Sequence, residues 1–322
     1  MQIIGRKFLE VITPTCHAST IAYFKGEPVF AWFGGQREGM PDSTIYVQYK
    51  GKLKCKIGSQ IAHWNPILFT IKDELFLAYK IGEFCDRWTT YILNITDINN
   101  IDTSKAQLIP AGLNFCVKTK PIVSKDGIVY CGSSVETKLD WTSFIESFSY
   151  KNGEFVFKDR SRPLTVPKKK YTFDHPLYGA ITIITSGIIQ PSLWVDGKGY
   201  WHAFFRSSRG LGKIYHTAFE NHDWQDPEPT ELDNPNSGVD TVCIDGRLFL
   251  VYNPSKTLRS PLVIAELNDD FEIIDEIVIQ KEVEGRTHTG ELSYPYMVEN
   301  EGKLELVYTY GRTKIEHVTI EV

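Results

Sequence analysis

Six segments of the form strand, tight turn, strand recur along this chain of 322 residues, and this repetition constrains the fold more than any other feature. They read HASTIAYFKGEPVFAWFGG, NPILFTIKDELFLAYKIG, KPIVSKDGIVYCGSSVE, QPSLWVDGKGYWHAFFRSS, SGVDTVCIDGRLFLVYNPS and YPYMVENEGKLELVYTYGR. Their turns are rich in Gly, Asp and Asn, which tolerate the positive φ angles of hairpin turns. The turns recur at intervals of roughly 47 to 70 residues, the length of a four-stranded propeller blade with its loops.

Further strand-like segments complete the blades. DSTIYVQYK and GKLKCKIG follow the first unit, TSFIESFSY and EFVFKD the third, KIYHTAFE the fourth, and LVIAELNDDFEIIDEIVI the fifth. The prolines and lysines of SRPLTVPKKKYTFDHPLYGA predict an excursion loop between the third and fourth units. The last strand, KIEHVTIEV, and the first, KFLEVI, are predicted to share one blade and close the ring. We therefore predict an all-β fold, a six-bladed β-propeller that forms a single domain over residues 1–322.

The composition narrows the classes of function. A formal net charge of −5 gives no general attraction to nucleic acid or to anionic membranes, and no apolar run approaches the ~20 residues of a transmembrane helix. The six cysteines are scattered without a CxxC pair, so neither a metal site nor a disulfide framework is predicted, and no cofactor motif is present. The start, MQIIGRKFLEVITPT, lacks an apolar signal-peptide core. From these features we expect a cytoplasmic protein without a cofactor.

Aligning the six units on their turns places one polar residue near the start of each first strand. Because the innermost strands of a propeller surround its axis, these side chains are predicted to form a ring at the mouth of the central channel. The ring consists of His17, Asn65, Lys120, Gln190 and Tyr294, with Asn236 or Asp240 in the looser fifth unit.

Arginines follow the second strand of four units within a few residues. They are Arg37, Arg206, Arg259 and Arg312. A planar guanidinium binds a carboxylate through two parallel hydrogen bonds and keeps its charge at all ordinary pH values. Four arginines at one end of an acidic protein therefore predict a binding site for a carboxylate, sulfate or phosphate, whereas any one of them alone is equally compatible with a solvated loop.

At these residues the chain resembles the sialidases (neuraminidases) and their propeller relatives, and the resemblance covers nearly the whole chain. FFRSS and TLRSPLVIAEL resemble the segments that carry two of the three carboxylate-binding arginines of that family, which implies this role for Arg206 and Arg259. ELSYPYMVENEGKLELVYTY resembles the segment of the nucleophilic tyrosine, here Tyr294. Arg37 and Asp42 have the spacing of the family's loop arginine and acid/base aspartate.

Two positions depart from the family pattern. CHAST replaces the FRIP motif, so His17 stands where the first arginine of the family would be, and Gln190 replaces the glutamate that activates the tyrosine. A phenol with a pKa near ~10 is a poor nucleophile without a base. Because the first and sixth units are neighbours in a closed ring, we predict that His17 accepts the proton of Tyr294, with Asp42 as the general acid.

Three functions remain open at this point. The first is glycoside hydrolysis at the end of an acidic glycan. The second is β-elimination from a uronate end, for which the arginines, Lys120, His17 and Tyr294 supply the positive charge, the base and the acid. The third is binding of an acidic sugar without turnover. In each case the expected partner is an acidic oligosaccharide, and Glu136, Asn236 and Asn65 are predicted to contact its hydroxyl groups.

Overall fold

The computed structural model describes residues 1–175, 177–285 and 290–322, and it is a six-bladed β-propeller as predicted. Every ladder between the strands of a blade is antiparallel. The first three blades comprise β2 (Thr15–Phe24), β3 (Glu27–Gly35), β4 (Thr44–Tyr49) and β5 (Lys52–Ile57); β6 (His63–Ile71), β7 (Glu74–Ile81), β8 (Thr89–Asn94) and β9 (Gln107–Leu108); and β10 (Ile122–Val123), β11 (Ile128–Glu136), β12 (Trp141–Lys151) and β13 (Glu154–Arg160).

The other three blades follow in the same order from the axis outward. They comprise β16 (Ile188–Val195), β17 (Trp201–Ser207), β18 (Lys213–Glu220), β19 (Asp223–Trp224) and β20 (Glu228–Asp233); β21 (Asp240–Ile244), β22 (Arg247–Tyr252), β23 (Leu262–Leu267) and β24 (Ile273–Gln280); and β25 (Leu292–Asn300), β26 (Lys303–Tyr310), β27 (Lys314–Glu321) and β1 (Gln2–Phe8). A single turn of 3-10 helix spans Thr103–Lys105, and no helix in the described ranges is long and apolar enough to cross a membrane.

The ring closes in the sixth blade, where the two ends of the chain meet. Strand β1 pairs with β27, with Gln2 opposite Glu321 and Phe8 opposite Glu316. Arg6 strengthens this seam because its guanidinium donates two hydrogen bonds of 2.9 Å to the Glu316 carboxylate. A ring closed in this way leaves no free inner edge at which the blades could separate.

The segment between blades 3 and 4 differs from its predicted loop in one respect. It contains a two-stranded hairpin, β14 (Lys170–His175) and β15 (Gly179–Ile184), which stands outside the blades. The hairpin packs on the loop after β17, where the Arg209 guanidinium lies 3.8 Å from the centre of the Phe173 ring. Alternation of polar and apolar residues, visible in KYTFDH and GAITII, favours strands here despite the flanking prolines.

Four of the six innermost strands carry a β-bulge at the same level of the axis. The register shifts by one residue between His17 and Thr20, Trp64 and Ile67, Ile189 and Ser192, and Ser293 and Tyr296. The bulged residues have positive φ: Ala18 51°, Asn65 40°, Gln190 58° and Tyr294 51°. A bulge re-aims the side chain that it carries, so these four blades present Ala18, Asn65, Gln190 and Tyr294 in equivalent positions.

Blades 3 and 5 fill the axis at this level in a different way. The fully buried Lys118 crosses from blade 3 and its ammonium donates hydrogen bonds to the carbonyl oxygens of Val239 (3.0 Å) and Pro295. Gly238 in blade 5 makes room for it, since a Cβ there would lie 3.1 Å from Lys118 Cε and 3.4 Å from Gln190 Oε1. Burial lowers the pKa of Lys118 to about 7.

Candidate functional site

All six blades contribute to one cavity of about 170 Å³ at the end of the axis above Lys118. The lining combines cations, carboxyl groups and aromatic rings. It consists of Glu38, Trp64, Asn65, Cys85, Trp88, Glu136, Gln190, Arg206, Arg259, Tyr294 and Arg312. Seven of these residues, namely Asn65, Glu136, Gln190, Arg206, Arg259, Tyr294 and Arg312, are site residues predicted from the sequence, which the structure thus brings together.

Arg206, at the end of β17, organises the floor of the cavity. Its Nε donates to Asn236 Oδ1 (2.8 Å), and its Nη1 donates to Gln190 Oε1 (3.1 Å) and to Tyr294 Oη (3.2 Å). The residue is only 5% exposed, yet its guanidinium has no carboxylate within ion-pair distance in the described part of the chain. A buried cation that is solvated only by neutral oxygens attracts an anion from outside.

The bulge in β25 turns the Tyr294 ring toward Arg206. Its phenol oxygen accepts hydrogen bonds from Arg206 Nη1 and from Gln190 Nε2, each 3.2 Å long. Gln190 comes from the equivalent bulge in β16, at the position where the resemblance to sialidases implies a glutamate. The exchange changes the chemistry, because a glutamate can accept the phenolic proton whereas this amide nitrogen and this guanidinium donate hydrogen bonds to the phenol oxygen.

The other two arginines are held by carboxylates. Arg259 donates to Glu291 Oε2 (3.0 Å) and to the carbonyl oxygen of Asn236 (2.9 Å), and burial lowers its pKa, with the charge of Arg206 as the next cause. The guanidinium of Arg312 bridges Glu291 (2.7 Å) and Glu38. These ion pairs fix the direction in which both guanidinium groups face the cavity.

Glu136, the last residue of β11, has a different environment from Glu38. Its carboxyl group has no hydrogen bond or ion pair with any described residue, and burial raises its pKa, against the opposing effect of the Arg206 charge. The contact at Glu136 is made by its backbone oxygen, which lies 3.9 Å from Cys85 Sγ. The carboxyl group therefore keeps its hydrogen-bonding capacity for a ligand.

His17 lies beneath the wall of the cavity, one residue before the bulge of β2. Its Nδ1 is 3.0 Å from Thr309 Oγ1, its Nε2 has no partner among the described residues, and its ring centre is 4.2 Å from that of Tyr294. Burial, followed by the charges of Arg312, Arg259 and Arg206, places its pKa well below the usual value. No hydrogen bond between the described atoms joins His17 to the Tyr294 oxygen. Ala18 occupies the expected place of His17 in the ring, because Ala18 lies six residues before the end of β2, as Asn65 does in β6 and Tyr294 in β25.

Arg37 and Asp42 lie outside the cavity, contrary to the expectation from their spacing. Both are exposed: the Arg37 guanidinium faces Met40, and Asp42 Oδ2 accepts a hydrogen bond from the backbone N–H of Gln36 (2.8 Å). The aspartate thus closes the loop that begins after β3. Within that loop it is Glu38 that reaches the cavity, through its ion pair with Arg312.

Lys120 also lies away from the cavity, deeper along the axis. Its ammonium pairs with the Asp240 carboxylate (3.0 Å) and with the carbonyl oxygen of Thr241 (2.7 Å). Asp240 is itself fully buried and accepts from Ser192 Oγ (2.9 Å) and from the backbone of Met297 (2.8 Å). Lys120 therefore links blade 3 to blade 5, and Asp240 also links blade 5 to the adjacent blades 4 and 6.

The remaining side of the cavity is aromatic. Trp64 and Trp88 meet edge to face with their ring centres 6.2 Å apart, and their indole N–H groups donate to Gly82 O (2.7 Å) and to Asn114 Oδ1 (3.1 Å). Asn65 beside them donates to the carbonyl oxygen of Val117 (3.1 Å). In sugar-binding sites such rings pack on the apolar face of a pyranose while polar groups bind its hydroxyls.

The described residues contain no group of three or more His, Cys, Asp or Glu side chains that could hold a metal ion. The cavity instead offers guanidinium groups, carboxyl groups, an amide and a phenol. Guanidinium groups can bind an anion, and carboxyl and phenol groups can transfer protons.

Solved structures with the same fold share little sequence with this chain. A protein of unknown function from Dyadobacter fermentans aligns with a TM-score of 0.75 at 15% identity, over 100% of this chain and 99% of that protein. Trypanosoma rangeli sialidase in complex with the inhibitor DANA aligns with a TM-score of 0.64 at 10% identity, over 96% of this chain but 55% of that enzyme. The chain thus corresponds to about half of that sialidase.

A viral relative extends the comparison. The subtype N10 neuraminidase-like protein of A/little yellow-shouldered bat/Guatemala aligns with a TM-score of 0.57 at 7% identity, over 99% of each chain. No curated protein matches the chain significantly in sequence. The family model described as a BNR repeat-like domain, however, matches residues 26–306. The chain therefore belongs to the BNR repeat-like family, as a divergent member of the sialidase-like six-bladed propellers.

Proposed function

We propose that this protein binds the terminal acidic sugar of a glycan in the cavity and cleaves the bond that links this sugar to the rest of the chain by glycoside hydrolysis. The observation that carries the proposal is the buried guanidinium of Arg206, which has no carboxylate partner among the described residues and directly contacts the oxygen of Tyr294. A carboxylate bound there supplies the missing counter-charge and is held beside the candidate nucleophile.

The neighbouring charges support an anionic ligand. Arg259 and Arg312 face the same cavity, and Glu291 bridges them, so one carboxylate serves two guanidinium groups. Glu38 pairs with Arg312, whereas Arg206 stays without a counter-ion in the described ranges. Since a buried charge is costly when it is unpaired, binding of a carboxylate is favourable at this point.

In the hydrolytic reaction the phenolic proton of Tyr294 passes to solvent water, the phenolate attacks the anomeric carbon, and a second water then releases the sugar, after which the phenolate is reprotonated by solvent. The hydrogen bonds from Arg206 and Gln190 stabilise the phenolate that forms when the proton leaves, in the absence of the glutamate base of the family. The three arginines orient the sugar through its carboxylate, so that the reacting carbon lies near the phenol.

The contacts of Tyr294 also favour a second candidate, β-elimination from a uronate. Two donors on the phenol oxygen stabilise a phenolate, and a phenolate is a base for the proton next to the sugar carboxylate. Arginine contacts to that carboxylate make this proton more acidic. The two reactions need the same residues and differ in their products.

The test is mass spectrometry of products from sialylated and uronate-ended oligosaccharides, with Tyr294→Phe as the variant and Tyr200→Phe as the control for loss of an exposed phenol. Product masses that sum to the substrate plus one water establish hydrolysis. Masses that sum to the substrate alone, with an unsaturated sugar that absorbs ultraviolet light, establish elimination. Tyr294→Phe is expected to lower turnover by at least about 10³-fold, with Tyr200→Phe unchanged. Binding without any product would mean that the protein binds an acidic sugar and does not cleave it. If neither binding nor product is detected, the proposal is wrong.

A further inference from the structure

The two carboxyl groups in the cavity differ in a way that assigns a role to one of them. Glu38 is tied to a guanidinium, whereas Glu136 is half-buried with a carboxyl group that no described residue binds. We propose that Glu136 is the proton donor to the leaving oxygen of the glycan, in place of the loop residue Asp42 that the family resemblance indicates. This inference rests on the proposed function.

The position of Glu136 suits proton transfer to a bound glycan. It ends β11 at the cavity, opposite Trp141 in the β11–β12 ladder, so its backbone is fixed by the sheet. The carboxyl group belongs to blade 3, whereas Tyr294 enters from blade 6 on the other side of the axis. A sugar that lies between these blades has the nucleophile and the carboxyl group on opposite sides, which is the arrangement that displacement at the anomeric carbon requires.

The alternatives are less suited because of their contacts. Glu38 forms an ion pair with Arg312, which occupies one of the oxygens of its carboxylate. The Asp42 carboxylate is exposed, lies outside the cavity and accepts a hydrogen bond from the Gln36 backbone. Neither carboxyl group is both inside the cavity and free of a partner among the described residues.

Groups from four loops and strands decide the protonation of Glu136. Burial raises its pKa most, and the charge of Glu38 acts in the same direction. Arg206 and Arg259 act in the opposite direction, and the Cys85 thiol contacts only the backbone oxygen of Glu136. The net effect is a raised pKa, so that the acid form persists to higher pH than for an exposed glutamate.

The proposed step balances as follows. The Oε–H of Glu136 transfers its proton to the glycosidic oxygen while the carbon–oxygen bond breaks, and the electron pair of that bond stays on the oxygen as the leaving hydroxyl. Glu136 becomes a carboxylate. In hydrolysis it then takes a proton from the attacking water, whose oxygen joins the sugar. In elimination it is reprotonated by solvent, and the proton from the sugar carbon goes to Tyr294.

The experiment compares two leaving groups on one acidic sugar. A 4-methylumbelliferyl glycoside leaves as an acidic phenol and hardly needs protonation, whereas an oligosaccharide leaves as an alcohol. For Glu136→Gln we expect kcat/KM on the oligosaccharide to fall about 10²- to 10⁴-fold, with the aryl glycoside affected less than about tenfold. The exposed Glu83→Gln serves as the matched control and leaves both values unchanged.

Other outcomes would overturn the assignment. If Glu136→Gln lowers kcat/KM equally for the oligosaccharide and the aryl glycoside, the residue binds the sugar or supports the fold and does not donate the proton. If Asp42→Asn produces the leaving-group signature instead, the loop aspartate is the acid. The kcat/KM pH profile adds an independent reading, since Glu136→Gln should remove the alkaline limb. An inactive wild-type protein would refute the proposed function itself. An active wild-type protein whose Glu136→Gln variant lacks the leaving-group signature would refute only the role of Glu136.

Discussion

The central axis has two levels that are built from the same inner strands but treat polar groups in opposite ways. In the cavity, Arg206 lacks a counter-ion and the carboxyl group of Glu136 lacks a hydrogen-bond partner among the described residues. Below it, the Lys118 ammonium donates to two carbonyl oxygens and Lys120 pairs with the buried Asp240. Polar groups that are paired within the protein hold the blades together, whereas charged groups without a protein partner are available to bind a ligand.

The deeper level is also closed across the axis. The fully buried Tyr296 comes from blade 6 and donates its hydroxyl to the carbonyl oxygen of Leu68 in blade 2 (2.8 Å), while the Lys120 ammonium lies 5.6 Å from its ring centre. The cavity is therefore a blind pocket with Lys118 and Tyr296 beneath it. The comparison predicts that changes in the upper level affect ligand binding and that changes in the lower level affect stability.

Arginine exchange tests the upper level and has the largest expected effect. Arg206→Met removes the guanidinium that has no counter-ion, and we expect affinity for an acidic monosaccharide to fall by about 30-fold or more, since truncating a buried charged partner costs about 2–5 kcal/mol. Arg37→Met removes an exposed arginine outside the cavity and should leave affinity unchanged. Titration calorimetry with N-acetylneuraminic acid and with glucuronic acid measures both variants. Equal losses would mean that the loop arginine binds the ligand as well.

Substitution of glycine tests the lower level. A methyl group at residue 238 would lie 3.1 Å from Lys118 Cε and 3.4 Å from Gln190 Oε1, so Gly238→Ala must displace the crossing lysine. We expect the free energy of unfolding to fall by about 1–3 kcal/mol, the usual cost of overpacking. Gly5→Ala is the matched control because its methyl group meets Thr319 at an ordinary 3.5 Å. Urea denaturation measures the free energy of unfolding of both variants. Equal values would show that the axis accommodates the additional methyl group without strain.

The sequence predicted the blades because the signals for them are local. Turn residues and alternating strands recur in every unit, and the pairing of the terminal strands follows from the count of strands. The bulges carry no such signal. His17 was predicted at the position of Ala18 because its side chain is polar, although Ala18 lies as far before its turn as Asn65 and Tyr294 do. In blade 3, Lys118 and Lys120 are two residues apart and would share a face if the chain there were extended. The structure has a bend at this point, and it shows that Lys118 is the one that reaches the level of the bulges.

The site was predicted best where it lies on strands or directly at their ends. Gln190, Arg206 and Tyr294 are brought together as expected because two bulges and a strand end fix them. The loop after β3 has no periodicity that would show which of its side chains face the cavity. The spacing found in the family therefore predicted Asp42, whereas the turns of the loop direct Glu38 to the cavity. The unpaired state of Glu136 depends on neighbours from three other blades, which no local pattern reveals.

The decrease in the free energy of unfolding at acidic pH is the smallest of the expected effects. It concerns His17, which lies between the two levels of the axis. His17 is buried between Thr309 and Tyr294, and its pKa lies well below the usual value because of burial and three arginine charges. Below about pH 6.5 the unfolded chain binds a proton at this histidine that the folded chain does not bind. Stability therefore falls as the pH is lowered, by up to about 1.4 kcal/mol per pH unit from this residue.

Chemical denaturation between pH 7 and pH 5 separates this contribution from others. His17→Gln should reduce the slope of unfolding free energy against pH, because the glutamine does not titrate, whereas His216, whose pKa burial lowers to about 3, continues to contribute. Thr309→Val is the matched control: it removes the partner of Nδ1 but keeps the imidazole buried, so it should lower stability at every pH and leave the slope in place. An unchanged slope in His17→Gln would show that the folded protein protonates His17 as readily as the unfolded chain, and that its neighbours accommodate the charge.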